Sequence, residues 1–249
     1  MHDGGMPEHD TIADLTTWAF ARTPVVMVNE AHDGLARCSR TRQVGLRIVR
    51  AAHQAGVRRL AMEALPRRDD GEPGPITALP GASGGYLAQP DLRDLISAAL
   101  GLGWTLWAYE APLGTTQATD RERSSLELTN WREREQALNL SQLMTGDPSP
   151  LLVWCGNGHA SKQAIGDWTP MGAHFAGLSG IEPFVIDQTA TIEFPGASEP
   201  WKAELVLSLA GVLTEHGGSV AVRREQAPPP LDEWTWVDGF ILSTDNAFS

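Results

Sequence analysis

Five short apolar runs, each followed by an ionisable or amide side chain, constrain the fold of this chain most. The runs are V-V-M-V, L-A-M, L-W-A-Y, L-L-V-W-C and F-V-I, and they lead into Asn29 and Glu30, Glu63, Glu110, Asn157 and His159, and Asp187. They are apolar at successive positions and rich in β-branched and aromatic residues, which is typical of strands buried on both faces of a parallel sheet. We therefore predict an α/β fold with a central, mostly parallel sheet and helices on both faces.

The polar residues after these runs predict a functional site at one edge of the sheet. Ligands of parallel sheets lie beyond the carboxyl ends of the strands. Neighbouring strands would therefore bring together Glu30, His32, Glu63, Glu110 and His159. Polar residues also end strands without any shared function, but carboxylates and imidazoles dominate here and favour a site. Three tryptophans near the same edge are candidates for the wall of a substrate pocket: Trp107, Trp131 and Trp154.

The remaining pattern predicts a single domain over residues 1–249. Helical spacing or capping predicts helices near 12–19, 39–55, 91–100, 119–144 and 203–213, a helix after His159 and a short one near Met171. Two more strands are predicted at 220–222 and 237–242. Residues 66–85 are rich in proline and glycine, so we interpret them as a loop excursion or lid.

Composition limits the partners that we expect. The formal net charge of −12 argues against nucleic acid or an anionic membrane surface, so the expected ligand is a small molecule or a peptide. Two cysteines are too few for a disulfide scaffold. The sequence shows neither a signal-peptide pattern nor a membrane-length apolar run, so we expect a cytoplasmic protein. The oligomeric state stays open.

Each candidate motif has a structural alternative. Glu30 and His32 are two residues apart just past a strand, so the carboxylate can orient the ring, although a loop histidine is the alternative. Glu63 suits a similar role, with a salt bridge to Arg42 or Arg59 as its alternative. His159 follows two glycines that allow close backbone approach to a ligand, or simply form a tight turn.

Two further site types are weaker. The carboxylates and histidines are types that bind a divalent metal, but no compact ligand spacing supports one, so we expect no required cofactor and keep a divalent metal as an alternative. Residues 81–85 match G-x-S-x-G literally. That motif needs a strand before it and a helix after it, whereas Pro80 precedes it and a glycine pair ends it.

Four stretches together resemble the erythromycin esterase family and its Tiki-like and haem-uptake relatives. They are N-E-A-H-D-G from Asn29 with the later L-A-M-E-A around Glu63, R-E-R-E-Q-A-L-N from Arg132, W-C-G-N-G-H-A-S-K around His159, and M-G-A-H-F from Met171. Their order along the chain also matches that of the family. The resemblance implies an erythromycin-esterase-like fold for a short, divergent member.

Three positions depart from the family pattern. Asn29 replaces a leading glycine, one residue fewer separates Glu30 from His32, and Gly156 replaces a histidine. The chain is also much shorter than the macrolide-hydrolysing members. The expected substrate therefore differs from a macrolide, with a place in natural product metabolism.

The resemblance implies a hydrolase that acts on an ester or amide. His32 would be the general base, oriented by Glu30 and Glu63, and His159 would donate a proton to the leaving group. Arg132, with Arg42, would stabilise the developing oxyanion. The substrate-binding residues would be Arg42, Asn157, Glu110 and Trp107.

Two other functions stay open from the sequence. The same base would also suit a non-hydrolytic lyase or cyclase of a biosynthetic pathway. A protein that binds haem or another small ligand is the third possibility, and it needs an open axial ligand such as Tyr86, Tyr109 or a histidine.

Overall fold

A computed structural model describes residues 10–31, 35–67, 74–81, 85–112, 124–192 and 199–243 of the chain. Its described strands form one eight-stranded sheet in the order β3-β4-β2-β5-β1-β6-β8-β7. The strands are β1 (Val25–Glu30), β2 (Arg59–Met62), β3 (Pro75–Ile76), β4 (Thr105–Ala108), β5 (Leu151–Gly156), β6 (Phe184–Asp187), β7 (Ser219–Arg223) and β8 (Gly239–Ser243).

The five apolar runs are confirmed as five adjacent strands. They form β4, β2, β5, β1 and β6, and every neighbouring pair among them is parallel. Trp154 in β5 stands in register with Val28 on one side and Met62 on the other. Because parallel strands end at the same edge, the polar residues that follow them are brought to one rim.

Six described helices cover the sheet, which confirms the predicted α/β fold with helices on both faces. They are α1 (Ile12–Phe20), α2 (Leu35–Gln54), α3 (Pro90–Gly101), α4 (Ser125–Gly146), α5 (Met171–Ser179) and α6 (Pro200–Glu215). Helices α1 to α3 share one apolar core with one face of the sheet, and α4 to α6 share a second core with the other face.

The alternation of side chains along each buried strand produces these two cores. Val26 and Val28 of β1 belong to the core under α1 to α3, whereas Val25 and Met27 belong to the core under α4 to α6. All six residues of β1 are buried. A strand with apolar residues at successive positions is therefore the expected solution for the centre of a three-layer protein.

The first turn of α4 is fixed by a capping box. The Ser124 hydroxyl accepts from the Glu127 backbone N–H at 3.2 Å, and the Glu127 carboxylate accepts from the Ser124 backbone N–H at 2.7 Å. The predicted start near residue 119 lies outside the described residues.

Two features differ from the sequence predictions. The predicted helix after His159 is wrong, because residues 157–169 form turns with an isolated bridge between Ile165 and Trp168. Asn130 of α4 holds this segment by donating to the Asp167 carbonyl at 2.8 Å and accepting from the Thr169 N–H at 3.0 Å. The structure also adds β3, which pairs antiparallel with β4 at the edge of the sheet.

Strand β3 lies within the segment predicted as an excursion or lid, residues 66–85. Its two residues stand opposite Leu106 and Trp107 of β4. A lid role for this segment and the single-domain organisation both stay predictions. In the described part of the chain, no helix combines the length and apolar character needed to span a bilayer.

Candidate functional site

A small cavity of about 70 Å³ lies at the carboxyl edge of β1, β2 and β5. Four ionisable side chains line it, together with Tyr86 and the backbone that ends β5. These side chains are Glu30, Glu63, Glu110 and Arg132. The structure thus brings together four of the residues singled out from the sequence, although three of them follow different strands and the fourth lies on α4.

Glu30, the last residue of β1, faces α2 and forms a buried ion pair with Arg42. The Arg42 Nε donates to one carboxylate oxygen at 2.9 Å, and its Nη2 donates to the other at 3.2 Å. Arg42 also donates to Gln89. Only 1% of the arginine side chain and 2% of the glutamate side chain are exposed, so this pair is a desolvated, bidentate contact.

On the opposite face of the sheet, Arg132 of α4 bridges two carboxylates. Its guanidinium donates to Glu63 and Glu110, and the Nε to Glu110 distance is 3.0 Å. Gln136, one turn further along α4, also donates to Glu110 at 2.9 Å. Burial lowers the pKa of Arg132, but the contacts with the two carboxylates outweigh burial and raise it, so this group stays charged.

The second oxygen of Glu63 accepts from the Gly156 backbone N–H at 2.9 Å. Its first oxygen lies 3.9 Å from Nε2 of His159. A separation of this size is one that a water molecule or a substrate atom can bridge. Glu63 therefore connects the arginine cluster with the imidazole, and its salt bridge is with Arg132 rather than with the Arg42 or Arg59 expected from the sequence.

His159 is held from its other side by Glu133 of α4. Its Nδ1 lies 2.6 Å from a carboxylate oxygen of Glu133, which is fully buried. The ring N–H is not aligned with that oxygen, so we treat the contact as an ion pair rather than as a linear hydrogen bond. The ring also packs edge-on against Trp168, with centroids 6.2 Å apart. Both ring nitrogens of His159 thus face carboxylates.

These carboxylates favour the protonated imidazole. Burial of the ring lowers the pKa of His159, but the contact with Glu133 and the charges of Glu63 and Glu133 together outweigh burial, and the pKa is raised. A histidine with a raised pKa keeps its proton to higher pH than a free imidazole does, so it is suited to donate that proton.

Helix α5 is tied to the same carboxylate. The second oxygen of Glu133 accepts from the Met171 backbone N–H at 2.7 Å, at the start of α5. Gly172 then donates its N–H to the His159 carbonyl at 2.9 Å. A Cβ at position 172 would lie 2.3 Å from the Ala160 carbonyl oxygen, so only glycine allows this approach of helix and loop.

Tyr109 and Cys155 are buried, uncharged groups near these carboxylates, and Cys155 lines the cavity. Burial, followed by the effect of nearby carboxylates, raises the pKa of both groups well above the usual range. The Tyr109 hydroxyl donates to the Trp154 carbonyl at 3.0 Å. The reactive charge at this rim is therefore carried by the carboxylates, Arg132 and His159.

The remaining sequence candidates lie elsewhere. His32 lies outside the described residues, so its proposed role as general base stays a prediction. Trp107 belongs to the core under α4 to α6 and has the Arg59 guanidinium 6.0 Å from its ring, so it does not line the cavity. Asn157 is exposed and borders a second, neighbouring cavity. Among the described residues, no group of three or more His, Cys, Asp or Glu is arranged to hold a metal ion.

Glu133 and Gln136 were missed in the sequence analysis. Both are fully buried, although they lie in a stretch of α4 that is charged or polar at almost every position. Such a stretch is usually solvated, so its burial is visible only in the folded protein. The sequence signal near these residues is the R-E-R-E stretch. It identified Arg132 as a candidate site residue but not the adjacent Glu133.

Comparison with known proteins shows the fold and not a family. No family model matches the sequence, and no curated protein matches it. Among solved structures, the type III effector HopBA1 is similar over 96% of both chains, with 13% sequence identity and a TM-score of 0.51. An erythromycin esterase mutant, EreC in its open conformation, is similar over 61% of this chain and 45% of its own, with 13% identity and a TM-score of 0.35. The first likeness is one of overall fold, and the second is too low to carry an argument.

Proposed function

We propose that this protein is a hydrolase that cleaves an ester or amide of a small molecule or peptide at the cavity between Glu63, Glu110 and Arg132. The observation that supports this proposal most is the placement of His159. Its Nδ1 is paired with the buried Glu133, and its Nε2 lies 3.9 Å from Glu63. A histidine oriented by one carboxylate and aimed toward a second is the arrangement that general acid–base chemistry requires.

In the proposed reaction, His159 is the general acid. The imidazolium gives its Nε2 proton to the oxygen or nitrogen that leaves as the carbonyl–heteroatom bond breaks. Glu133 keeps the ring in place and stabilises its charged form, so it is a positioning residue. The hydroxyl of the attacking water becomes part of the new carboxyl group, and the proton that the base takes from that water returns to His159 through solvent before the next turnover.

Arg132 is the proposed electrostatic stabiliser of the transition state. Its charge is fixed by Glu63 and Glu110, and 28% of its side chain is exposed toward the cavity region. A guanidinium held in place before the reaction needs no reorganisation when negative charge develops on the carbonyl oxygen. Glu63 and Glu110 thus act mainly by placing this charge.

The proposed base follows from the resemblance described above. His32 comes two residues after Glu30 in the sequence. Two hydrogen bonds from Arg42 fix the orientation of the Glu30 carboxylate. We propose that His32 takes a proton from the attacking water. No cofactor is invoked in these steps.

Replacement of His159 tests the proposal. Purified protein is assayed against a panel of p-nitrophenyl esters and p-nitroanilides, and His159→Gln is expected to lower turnover about 10²- to 10⁴-fold, since a general acid contributes on that order. His216→Gln is the matched control, because this half-buried histidine caps the end of α6. Full turnover by His159→Gln would remove His159 from the mechanism.

Product mass separates hydrolysis from the lyase or cyclase alternative. Hydrolysis adds the mass of one water molecule across the two products. Elimination or ring closure releases water or another group without adding water. A product set without added water would contradict the proposed hydrolase.

A further inference from the structure

A second cavity, of about 230 Å³, adjoins the carboxylate cavity at the same edge of the sheet. The backbone that follows β5 separates them. Gly156 borders the smaller cavity, whereas Asn157 and Gly158 border the larger one. None of the charged groups of the proposed reaction lines this second cavity, so it calls for an explanation of its own.

One wall of the larger cavity is a tryptophan stack. The rings of Trp234 and Trp236 are 5.1 Å apart at an interplanar angle of 21°. Trp234 is also packed edge-on by Trp201 at 6.2 Å and by Phe240 at 5.9 Å. Trp236 is half-buried and, among the described residues, contacts only one other ring. Trp234, itself packed against two other rings, supports the ring of Trp236. The Trp236 ring is therefore a rigid surface on which an aromatic ligand can stack.

The two charged side chains in the lining already have partners within the protein. Lys202 lies 2.9 Å from a carboxylate oxygen of Glu199 and donates to the Ile192 carbonyl at 3.1 Å. Asp187 accepts from the backbone N–H groups of Thr189 and Ala190, at 2.7 Å each, and from Asn29. A ligand of this cavity therefore meets charged side chains that are already engaged within the protein, which favours a neutral group.

Asn157, another residue of the lining, offers a hydrogen-bond donor. Asn157 is exposed, and its side-chain oxygen accepts from the Thr189 hydroxyl at 3.2 Å. In the part of the chain that the structure describes, its side-chain nitrogen has no partner. This nitrogen is thus available to a carbonyl or another acceptor on a ligand.

We propose that this cavity binds a neutral aromatic group that carries a hydrogen-bond acceptor. The ring stacks on Trp236, and the acceptor bonds to the Asn157 side chain. Small-molecule pockets commonly measure roughly 300–1,000 Å³, so a cavity of 230 Å³ holds one ring system rather than a whole drug-sized ligand. If the proposed function holds, this aromatic group is the part of the substrate next to the bond that is cleaved. Only this assignment rests on the proposed function.

Binding is measured directly, without turnover, by the indole N–H resonances of ¹⁵N-labelled protein. Benzamide is the probe, because it is neutral and aromatic and carries a carbonyl. Cyclohexanecarboxamide is its saturated counterpart. We expect benzamide to shift the Trp236 resonance saturably and to bind severalfold to about tenfold more tightly than the saturated amide, in line with the contribution of aromatic stacking.

Two variants test the assigned contacts. Followed through the resonance of the neighbouring Trp234, Trp236→Leu is expected to remove saturable benzamide binding. Trp18→Leu, which alters a half-buried tryptophan of α1, is expected to leave binding unchanged. If Trp236→Leu fails to fold, the exposed Asn157→Leu decides the question, with an expected severalfold loss of benzamide affinity.

Equal binding of the two amides, or no saturable shift, overturns the inference. So does undiminished benzamide affinity in a folded Trp236→Leu or Asn157→Leu variant. His159→Gln is expected to bind benzamide like the wild-type protein. Loss of turnover with retained binding therefore separates the proposed function from this inference, since each has its own readout.

Discussion

Two arginine–carboxylate contacts lie at the same edge of the sheet, and they differ in burial and stoichiometry. The Arg42–Glu30 pair joins one cation to one carboxylate, and both side chains are at most 2% exposed. Arg132 is shared by two carboxylates, Glu63 and Glu110, and 28% of its side chain is exposed. The first contact faces α2 and the second faces α4.

This difference indicates that the two contacts have different roles in the protein. The Arg42–Glu30 pair is bidentate and almost fully buried, so it holds the end of β1 in place. The Arg132 cluster lies beside His159 and Glu133, so three carboxylates, a guanidinium and an imidazole lie close together next to the cavity. Excess charge at an accessible site is costly for stability alone and is therefore typical of function.

The largest effect on stability is expected for Arg42→Met. It leaves Glu30 buried without its cation, and breaking a buried pair from one side typically costs about 3–5 kcal/mol of unfolding free energy. Urea unfolding followed by circular dichroism measures this loss. The double variant Glu30→Met/Arg42→Met should recover most of it, because apolar residues of similar size replace the pair. A double variant as unstable as the single one would contradict the view of a one-to-one pair.

The second expected effect is on turnover rather than on stability. Arg132→Met should lower turnover about 10²- to 10³-fold, the usual cost of removing a group that stabilises developing negative charge. Its loss of unfolding free energy should be well below that of Arg42→Met, because partly exposed pairs contribute little. Arg134→Met, on the same helix and 60% exposed, is the control. An Arg132→Met protein that unfolds as readily as Arg42→Met would abolish the contrast between the two contacts.

The smallest effect is a shift of the pH profile in Glu133→Gln. The raised pKa of His159 means that the general acid is active below this pKa and that turnover falls as pH rises through it. The substitution removes the main raising contact and leaves burial, which lowers the pKa, so the falling limb should move to lower pH. Turnover above this limb should fall by roughly tenfold, which is the effect of lowering the pKa by about one unit.

The same substitution has a consequence for stability. The His159–Glu133 contact stabilises the fold fully below the unfolded histidine pKa of about 6.5, and this contribution is lost as pH rises through the raised folded pKa. A pH titration of the His159 ring protons by NMR measures the pKa of His159 directly in the wild-type protein and in Glu133→Gln. Glu135→Gln, on the same helix, should leave the profile in place. If the falling limb of the pH profile stays at the same pH in Glu133→Gln, the buried carboxylate does not control the pKa of His159.

The sequence predicted the centre of the sheet well because burial on both faces has a direct signature. Strands buried by helices on both sides need apolar residues at successive positions, so the five runs could be predicted as buried strands of a parallel sheet, whereas their adjacency came from the structure. Strand β3 could not be predicted, because two residues contain no periodicity. The turns of 157–169 are fixed by Asn130 on a distant helix, so local patterns there were misleading.

The site was predictable in part for the same reason. Glu30, Glu63 and Glu110 each follow a buried strand, and parallel topology alone brings them to one rim. The partners of these groups come from helices, where helical spacing does not reveal which charged face turns inward. Arg132 was found through a motif resemblance, whereas the burial of Glu133 depends on how α4 packs on α5 and on the loop after β5.

The shared carboxylate of Glu133 couples two events that are usually independent. One oxygen faces the imidazole of His159, and the other anchors the first turn of α5 through the Met171 N–H. Any movement of α5 away from the loop would therefore also alter the proton affinity of the ring. The same carboxylate thus holds α5 in place and sets the acid strength of His159. A ligand that repositions α5 would therefore change the pKa of His159 without contacting the histidine.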